Sequence, residues 1–286
     1  MYPLEHTTSV SSEQFDTSIV LRPPTTWPRL GLDEIWSYRE LFWFLVWRDL
    51  KVRYRQTFLG VVWVVLQPML TMAVFAVVLG RLVGVPSDGL PYPLFAYAGL
   101  LPWLFFSSAV TTGAATLVGN ANLISKVYFP RILLPAAAAT ARLVDFGVGS
   151  LGLVVLLLLY RVPFTPGLVV IPVAVGLELM LAVGVAAYLS SLNVKFRDIG
   201  FVVPLFLQLG MFVTPVLYHW TLVPARWRWV IVANPLTGII ESYRSALLGR
   251  ALPWQALLVS LAAALVVLMA GVFEIRRMEG TYADVV

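Results

Sequence analysis

The stretch WQALLVSLAAALVVLMAGVF, residues 254–273, contains no charged side chain in twenty consecutive residues. A helix rises 1.5 Å per residue, so about 20 mostly apolar residues are needed to cross the hydrocarbon core of a membrane, which is about 30 Å thick. This stretch therefore predicts a transmembrane helix.

Other long apolar segments have the same character. They predict further spans over residues 59–81, 94–117, 132–160, 167–192 and 199–217. The whole chain of 286 residues is 59% hydrophobic and 12% charged, with a mean hydropathy of +0.85, whereas about a quarter of the residues of soluble domains are charged. We expect an all-α integral membrane protein whose membrane domain, residues 59–286, has six transmembrane helices.

The positive charges are unevenly distributed between the loops. All three lysines, Lys51, Lys126 and Lys195, fall in segments on the same side of the membrane as the N-terminus, together with most of the arginines. Short loops rich in Lys and Arg remain in the cytoplasm. We therefore expect a multi-pass protein of the cytoplasmic (inner) membrane with both termini in the cytoplasm.

The segment before the first span divides into two parts. Residues 1–33 are polar and lack the pattern of a cleaved signal peptide, so they predict a variable cytoplasmic N-terminus. Residues 34–58 predict an amphipathic interface helix. The capping-box pattern of Ser37 to Glu40 lies near its start.

The predicted interface helix carries aromatic and basic residues on different sides. Its aromatic side includes Trp43 and Trp47, together with Val46, Leu50 and Tyr54. Its basic side carries Arg48, Lys51 and Arg55, which can reach lipid headgroups. Such a helix is either a membrane anchor or a contact surface for a cytoplasmic partner, and the pattern leaves both interpretations open.

The first long inner loop, residues 120–131, predicts a short rigid helix. Asn120 can cap it and Pro130 can stop it. If Leu123, Ile124, Tyr128 and Phe129 are exposed, they can fill a groove on a soluble partner. The alternative is a plain amphipathic turn.

Residues 218–248 contain an apolar run that is too short to span. A run of about 10 to 14 apolar residues is typical of a re-entrant or interfacial segment. We therefore expect an outward-facing helical hairpin between the fifth and sixth spans. The candidate residues for a substrate path or outward gate are Tyr218, Trp220, Trp227, Asn234 and Pro235.

The sequence contains no nucleotide-binding motif and no thiol or histidine cluster for catalysis. A Walker A loop needs Gly before its Lys, but the three lysines follow Leu50, Ser125 and Val194. The absence of cysteine excludes thiol catalysis, and two histidines far apart disfavour a metal centre. We expect no enzyme activity and no cofactor or metal in this chain, so energy comes from a partner or an ion gradient, or the chain is a passive channel.

Three charged residues fall well inside predicted spans, away from the span ends. Arg142 and Asp145 are three residues apart on one helix and can neutralise each other. Glu178 has no nearby partner in sequence, so it either pairs with Arg142 or faces a pore. A role for these residues in lining a wet pathway remains open beside the purely structural one.

Aromatic residues are candidates for a sugar path, because rings contact the apolar faces of sugars weakly and without sequence preference. The candidates by residue type are Tyr97, Trp103, Phe105, Phe106, Phe206, Phe212, Tyr218 and Trp220. The alternative is a belt of aromatic residues at the membrane interface and in lipid.

Three groups of motifs carry a resemblance to a known family. They are RDLKVRYRQTFLG (48–60) with LQP (66–68), LISKVYFPR (123–131) with LP (134–135), and NPL (234–236) with YR (243–244). From about residue 36 to the end, the chain resembles type-2 ABC transporter permeases. It is most similar to the branch that exports O-antigen, teichoic acid and capsule.

This resemblance implies a homodimeric pore that exports a lipid-linked polysaccharide. It implies two copies of a separate cytoplasmic ATPase that bind ATP and Mg, and no nucleic-acid partner. Residues 120–130 become the coupling helix, and the residues implied in coupling are Asn120, Asn122, Leu123, Ile124, Lys126, Tyr128, Phe129 and Arg131. The alternatives are the same fold carrying a drug or lipid, and a membrane enzyme acting on polyprenyl-linked sugars.

Overall fold

The computed structural model describes residues 32–55, 60–87 and 89–278, and the regular structure of these ranges is helical. Nearly all of the predicted N-terminal region, residues 1–33, lies outside them. The helices before the third predicted span are α1 (Leu32–Ser37), α2 (Arg39–Tyr54), α3 (Gly60–Phe75), α4 (Tyr92–Ala114), α5 (Thr116–Gly119) and α6 (Ala121–Lys126). The later helices are α7 (Leu133–Leu159), α8 (Ile171–Lys195), α9 (Ile199–Val213), α10 (Arg228–Ala233), α11 (Pro235–Leu248) and α12 (Trp254–Met278).

Five helical segments of the described chain are long and apolar enough to cross a membrane. They are Val62–Val83, Tyr92–Ala114, Leu133–Leu159, Pro166–Lys195 and Trp254–Met278. The first continues α3 through a π-helical segment, Ala76–Val83, and the fourth begins with a 3-10 turn, Pro166–Val170. Each coincides with a predicted span, so these parts of the chain were located correctly by their hydropathy.

The other predicted span, residues 199–217, forms a shorter helix. Helix α9 has 15 residues and ends at Val213, which makes it about 22 Å long. Thr214 leaves the helix with an extended backbone, φ −81° and ψ 139°. Because Thr214 precedes Pro215, the proline ring disfavours a helical conformation at this residue. The predicted end at residue 217 is therefore wrong.

The N-terminal boundary of the interface helix also differs from its prediction. Ser37 is the last residue of α1, and its hydroxyl donates back to the carbonyl of Glu34 at 2.7 Å. Helix α2 begins at Arg39, and the side chain of Tyr38 at its N-cap makes no capping bond. The predicted capping box is wrong because a short helix already occupies the residues before α2.

Helix α4 is the centre of the bundle and α3 is at its edge. In the most apolar window of each helix, 78% of the α4 residues are buried, against 11% of the residues in the segment that contains α3. Phe95 and Tyr97 of α4 are completely buried, and α7 and α8 pack against this helix. The apolar surface of α3 therefore faces away from the rest of this subunit.

Two glycines bring α8 and α12 into backbone contact. A Cβ atom at Gly184 would lie 2.6 Å from the backbone nitrogen of Leu268, and one at Gly271 would lie 2.4 Å from the carbonyl oxygen of Gly184. Small residues let membrane helices approach closely enough for extensive van der Waals contact. These two helices therefore form a tightly packed pair.

Replacement of Gly184 by Ala tests this packing. We expect Gly184→Ala to lower the free energy of unfolding by about 1–3 kcal/mol, because the added methyl group meets backbone atoms that cannot rotate away. Thermal unfolding of the detergent-solubilised protein measures the change. Gly176→Ala is the matched control in the same helix, since nothing lies within 4 Å of its added Cβ. Equal melting temperatures for the two variants would contradict the prediction.

Candidate functional site

The interface helix α2 presents two different apolar surfaces. Leu45 and Val46 are buried in a cluster with residues of α6 and α7. Trp43 and Trp47 are 61% and 60% exposed, on the side of the helix that faces away from the protein. Val46 was predicted to share a side with these tryptophans, but it packs inside the protein. The helix is thus fixed to the bundle and still presents an exposed aromatic surface.

The predicted coupling residues separate into buried and exposed groups. Ile124 and Phe129 are buried in the same cluster as Leu45 and Val46, so they are not available to a partner's groove. Their predicted exposure is wrong because α2 covers this side of the loop. The residues that remain exposed include Asn122, Lys126 and Tyr128, whereas Leu123 and Arg131 are intermediate.

Asn120 connects the coupling segment, residues 120–131, to α2. Its Oδ1 accepts a hydrogen bond from Nη1 of Arg48 at 2.9 Å, and its Nδ2 donates to the carbonyl of Thr116 at 2.8 Å. The side chain therefore makes no cap at the start of α6, contrary to prediction. Helix α6 ends at Lys126, and Val127 is extended, so Pro130 does not stop the helix either.

Tyr128 connects the coupling segment to α1 and to the residue between α1 and α2. Its hydroxyl donates to Oε1 of Glu34 at 3.2 Å, while the hydroxyl of Tyr38 donates to the Tyr128 carbonyl at 3.5 Å. The side chain of Tyr128 is nevertheless 71% exposed. With the Arg48–Asn120 bond, these contacts join the coupling segment and the interface helix into one structural unit.

Asp145 of α7 binds the other end of the interface helix. Its Oδ2 lies 3.0 Å from Nη2 of Arg53 and 3.2 Å from Nη1 of Arg142, and its Oδ1 accepts a hydrogen bond from the hydroxyl of Tyr54. The predicted Arg142–Asp145 pair is therefore present. Arg53 and Tyr54 were missed as partners, because their distance from Asp145 in sequence gave no signal.

Burial of the Tyr54 hydroxyl, together with its hydrogen bond to the Asp145 carboxylate, raises its pKa to about 12. The folded pKa lies above that of an unfolded tyrosine, so the stabilisation is complete below pH 10 and is lost as the pH rises towards 12. Tyr54 therefore donates to Asp145 throughout the neutral pH range.

A polar cavity of about 340 Å³ lies beside this cluster, between α3, α4 and α7. Its polar lining consists of Arg53, Gln67, Ser107, Ser108, Thr111, Thr112 and Asp145. Its walls also include the rings of Phe105 and Phe146, whose centroids are 5.6 Å apart. Among the predicted aromatic candidates, Phe105 thus lines this cavity. Pro68 also lines the cavity, and it cannot donate the helical bond to the Val64 carbonyl.

The other aromatic candidates lie elsewhere. Trp103, Phe106 and Phe206 line a second, mainly apolar cavity of about 400 Å³. Tyr97 is completely buried and donates to the Gly149 carbonyl at 2.8 Å, so it belongs to the bundle core. Phe212 is 57% exposed at the end of α9.

Glu178 is completely buried, and its recorded partner is the Tyr243 hydroxyl, which donates to Oε2 at 3.4 Å. The alternative of a pair with Arg142 is wrong in this structure, because Arg142 binds Asp145 one turn along its own helix. Glu178 joins α8 to α11 within the core.

The predicted gate residues hold the turns around α10 and α11. The Asn234 side chain accepts a hydrogen bond from the Leu236 N–H and donates to the Thr214 hydroxyl at 2.8 Å, while Pro235 begins α11. The Tyr218 hydroxyl donates to the last carbonyls of α9. Trp227 is 52% exposed, and Trp220 is half-buried beneath the guanidinium of Arg228.

Arg244 holds α11 against the turn that follows α9. Its guanidinium donates to the carbonyls of Pro215 and Val216, binds Glu241 at 3.0 Å and lies 3.7 Å from the centre of the Phe95 ring. It is 3% exposed. Arg244 lies in the segment predicted as an outward-facing hairpin, and its spacing of three from Glu241 is a signal for the pair. In the described ranges, no group of three His, Asp and Glu side chains could hold a metal ion.

Comparison with known proteins places these features in a family. Residues 40–248, most of the chain, match the family described as ABC-2 type transporter. The chain belongs to this family. The match begins at α2 and ends with α11, so it contains the predicted coupling segment, the Asp145 cluster and the predicted gate residues of this ABC-2 chain.

Relatives of this ABC-2 chain include permeases named for polysaccharide export. It is 35% identical over 253 residues to the O-antigen export system permease protein RfbA of Myxococcus xanthus, an alignment that covers 86% of this chain and 96% of the relative. It is 28% identical to the protein of the same name from Klebsiella pneumoniae, over 83% of this chain and 92% of the relative. The polysialic acid transport protein KpsM of Escherichia coli is 22% identical, over 70% and 78% respectively.

Replacement of Arg244 by Met tests the importance of the outer connection. We expect Arg244→Met to lower the free energy of unfolding by about 3–5 kcal/mol, because it leaves the Glu241 carboxylate without its buried partner. Chemical or thermal unfolding in detergent measures this loss. The control is Arg226→Met, which changes an exposed arginine of the same outer segment and should shift stability by less than about 0.5 kcal/mol. Similar stability of the two variants would contradict the role assigned to Arg244.

Proposed function

We propose that this chain is the transmembrane permease subunit of an ABC transporter that exports a lipid-linked polysaccharide, such as O-antigen, across the cytoplasmic membrane. The observation that carries the proposal is the nearly full-length match to permeases named for O-antigen export. A polar cavity lined by hydroxyl groups and two aromatic rings, inside an otherwise apolar bundle, is consistent with a sugar cargo.

The proposed topology has six crossings, with α9 as the short fifth span and α10 with α11 as a re-entrant hairpin on the outer side. Helix α9 is apolar, and residues 214–227 after it contain only short turns before α10 begins. The locations of the lysines support cytoplasmic termini in the inner membrane. In this topology, the buried Arg244 connections hold the hairpin on the external side of the bundle.

We further propose a homodimer that works with two copies of a cytoplasmic ATPase, which supply the ATP and Mg sites. This chain has no Walker A sequence of its own, so hydrolysis requires another subunit. The exposed apolar residues of α3, which include Trp63 and Leu70, offer a face for the second copy. Lipid and the second copy together cover this apolar surface.

The contacts of the coupling segment define how ATPase movement reaches the membrane domain. Force applied at the exposed Tyr128 and Lys126 is transmitted to α2 through the buried Ile124 and Phe129 and through the Arg48–Asn120 bond. Helix α2 carries that movement to α7 through Asp145. The polar cavity lies at the end of this series of contacts.

Two other functions fit the chain less well. Export of a drug or lipid keeps the same fold, but the polar lining of the cavity and the names of the relatives favour a glycan. A membrane enzyme for polyprenyl-linked sugars needs acids grouped around a reacting bond, whereas Asp145 is held by two arginines and Glu178 is buried on Tyr243.

Deletion of the chain tests the proposed function directly. We expect the cell-surface polysaccharide to disappear while its lipid-linked form accumulates inside the cell, because synthesis continues without export. Immunodetection of surface glycan, and extraction of the lipid-linked form from inverted membrane vesicles, measure the two pools. Complementation by the intact chain is the control. Unchanged surface polysaccharide in the deletion strain would overturn the proposal.

The Arg48–Asn120 bond tests the transmission of ATPase movement. We expect Arg48→Gln and Asn120→Ala each to lower export about threefold to tenfold, because a hydrogen bond to a charged group contributes about 1.5–3 kcal/mol, and less at a partly exposed site. The double variant should lose less than the sum of the two single losses, since both remove the same bond, while Arg48 also binds Asp49 and Asn120 also binds the Thr116 carbonyl.

Arg39→Gln is the matched control for this cycle, because Arg39 is an exposed arginine in the first turn of the same helix. Export is measured as the rate at which labelled polysaccharide reaches the cell surface, at matched levels of protein in the membrane. Additive losses in the double variant would show that Arg48 and Asn120 act separately, and would contradict the proposed connection.

A further inference from the structure

The Asp145 cluster contains two guanidinium groups for one carboxylate. Arg53 and Arg142 approach the same oxygen, Oδ2, at 3.0 and 3.2 Å, while Tyr54 occupies Oδ1. One arginine is sufficient to neutralise a carboxylate, so the cluster holds one guanidinium more than the charge of Asp145 requires. The cluster therefore has a redundant cation.

The two arginines differ in their freedom to leave Asp145. The side chain of Arg142 is 13% exposed and lies on the same helix as Asp145, three residues away. The side chain of Arg53 is 43% exposed, lies on the last turn of α2 and lines the polar cavity. Arg53 is thus the cation that can turn from the carboxylate towards a molecule in the cavity.

The cavity has the size and lining of a site for the head of a lipid-linked sugar. Its volume of about 340 Å³ is at the lower end of the range of roughly 300–1,000 Å³ for small-molecule sites, which is too small for a polymer. Ser108 and Thr112 already donate to carbonyls of their own helix, so their oxygens remain acceptors for sugar hydroxyls. Phe105 and Phe146 provide apolar ring surfaces.

We propose that Arg53 binds the phosphate group of the lipid-linked glycan in this polar cavity, by exchanging its bond to Asp145 for a bond to the phosphate. Arg142 and Tyr54 keep the carboxylate satisfied while Arg53 is engaged. The planar guanidinium of arginine matches phosphate oxygens in a two-bond arrangement, which makes Arg53 the chemically suited ligand. This inference rests on the proposed function, since it names the part of the cargo that the cavity recognises.

The exchange also provides a way to release the cargo. A lone buried arginine would hold a phosphate tightly, but here the Asp145 carboxylate competes for the same guanidinium. The net free energy of binding is then only the difference between the Arg53–phosphate interaction and the Arg53–Asp145 interaction. A transporter needs such moderate affinity, because a cargo that is bound too strongly cannot move on.

Binding of a polyprenyl diphosphate tests the exchange. The permease–ATPase complex is placed in nanodiscs of phosphatidylcholine, and the affinity for the added polyprenyl diphosphate is measured by native mass spectrometry. We expect Arg53→Gln to weaken binding about tenfold, because a charge-assisted contact to the phosphate is lost. Asp145→Asn should tighten binding about threefold or more, because the amide competes less well for Arg53. Arg197→Gln, an exposed arginine of another inner loop, should leave the affinity unchanged.

The opposite directions distinguish exchange from a simple structural ion pair. If Arg53 and Asp145 only hold the fold, Arg53→Gln and Asp145→Asn weaken binding alike, and that result would overturn the inference. Wild-type affinity in Arg53→Gln would overturn it as well. If Arg53→Gln does not assemble with the ATPase, Arg53→Lys serves instead. Arg53→Lys retains the positive charge but lacks the planar guanidinium that can make two bonds to a phosphate. The affinity for polyprenyl diphosphate should therefore fall several-fold. Wild-type affinity in Arg53→Lys would refute the assignment of Arg53 as the phosphate ligand.

A competing phospholipid identifies the source of the phosphate. Phosphatidylglycerol at an equal mole fraction should displace little of the bound polyprenyl diphosphate, and equal displacement would overturn the assignment to the cargo. The test is independent of the export experiment. Normal surface polysaccharide in the deletion strain rejects the proposed function, whereas lost export with unchanged binding in Arg53→Gln rejects only the phosphate site.

Discussion

The Asp145 carboxylate joins the interface helix α2 to the helical bundle, and the position of the last turn of α2 depends on this junction. Through Arg53 and Tyr54 it fixes the last turn of α2 beside α7. The middle of α2 is fixed by Leu45 and Val46, which pack on the coupling segment. A helix of this composition could simply float in the headgroup region. Because it is bound at both places, α2 connects residues 120–131 mechanically to α7.

The sequence predicted the apolar elements of the fold well and the polar connections poorly. Long charge-free runs such as residues 254–273 predict a transmembrane helix without further information. An apolar helix of about that length spans the hydrocarbon core of a membrane. Helix α9 was overestimated because hydropathy continues through Thr214 and Pro215, although the backbone cannot continue as a helix there. Hydropathy reports burial in lipid, whereas the end of a helix depends on local geometry.

The candidate site could be predicted only where its partners are close in sequence. The Arg142–Asp145 pair follows from a spacing of three residues. In contrast, Arg48 meets Asn120 across 72 residues, and Tyr54 meets Asp145 across 91. The residue types at 120 and 124 were compatible with a cap and an exposed contact, but the interface helix occupies that surface. Such contacts depend on how helices pack, which one sequence does not reveal.

The close packing of α8 and α12 has a mechanical consequence. Because the backbones touch at Gly184 and Gly271, this pair cannot separate or slide by small steps, so it acts as a rigid wall. Helix α3 has the opposite character, since it is thinly packed, contains Pro68 and continues into the π-helical segment Ala76–Val83. Both irregularities are places where a helix bends at low cost. The polar cavity thus lies beside a helix, α3, that bends more easily than the closely packed pair α8 and α12.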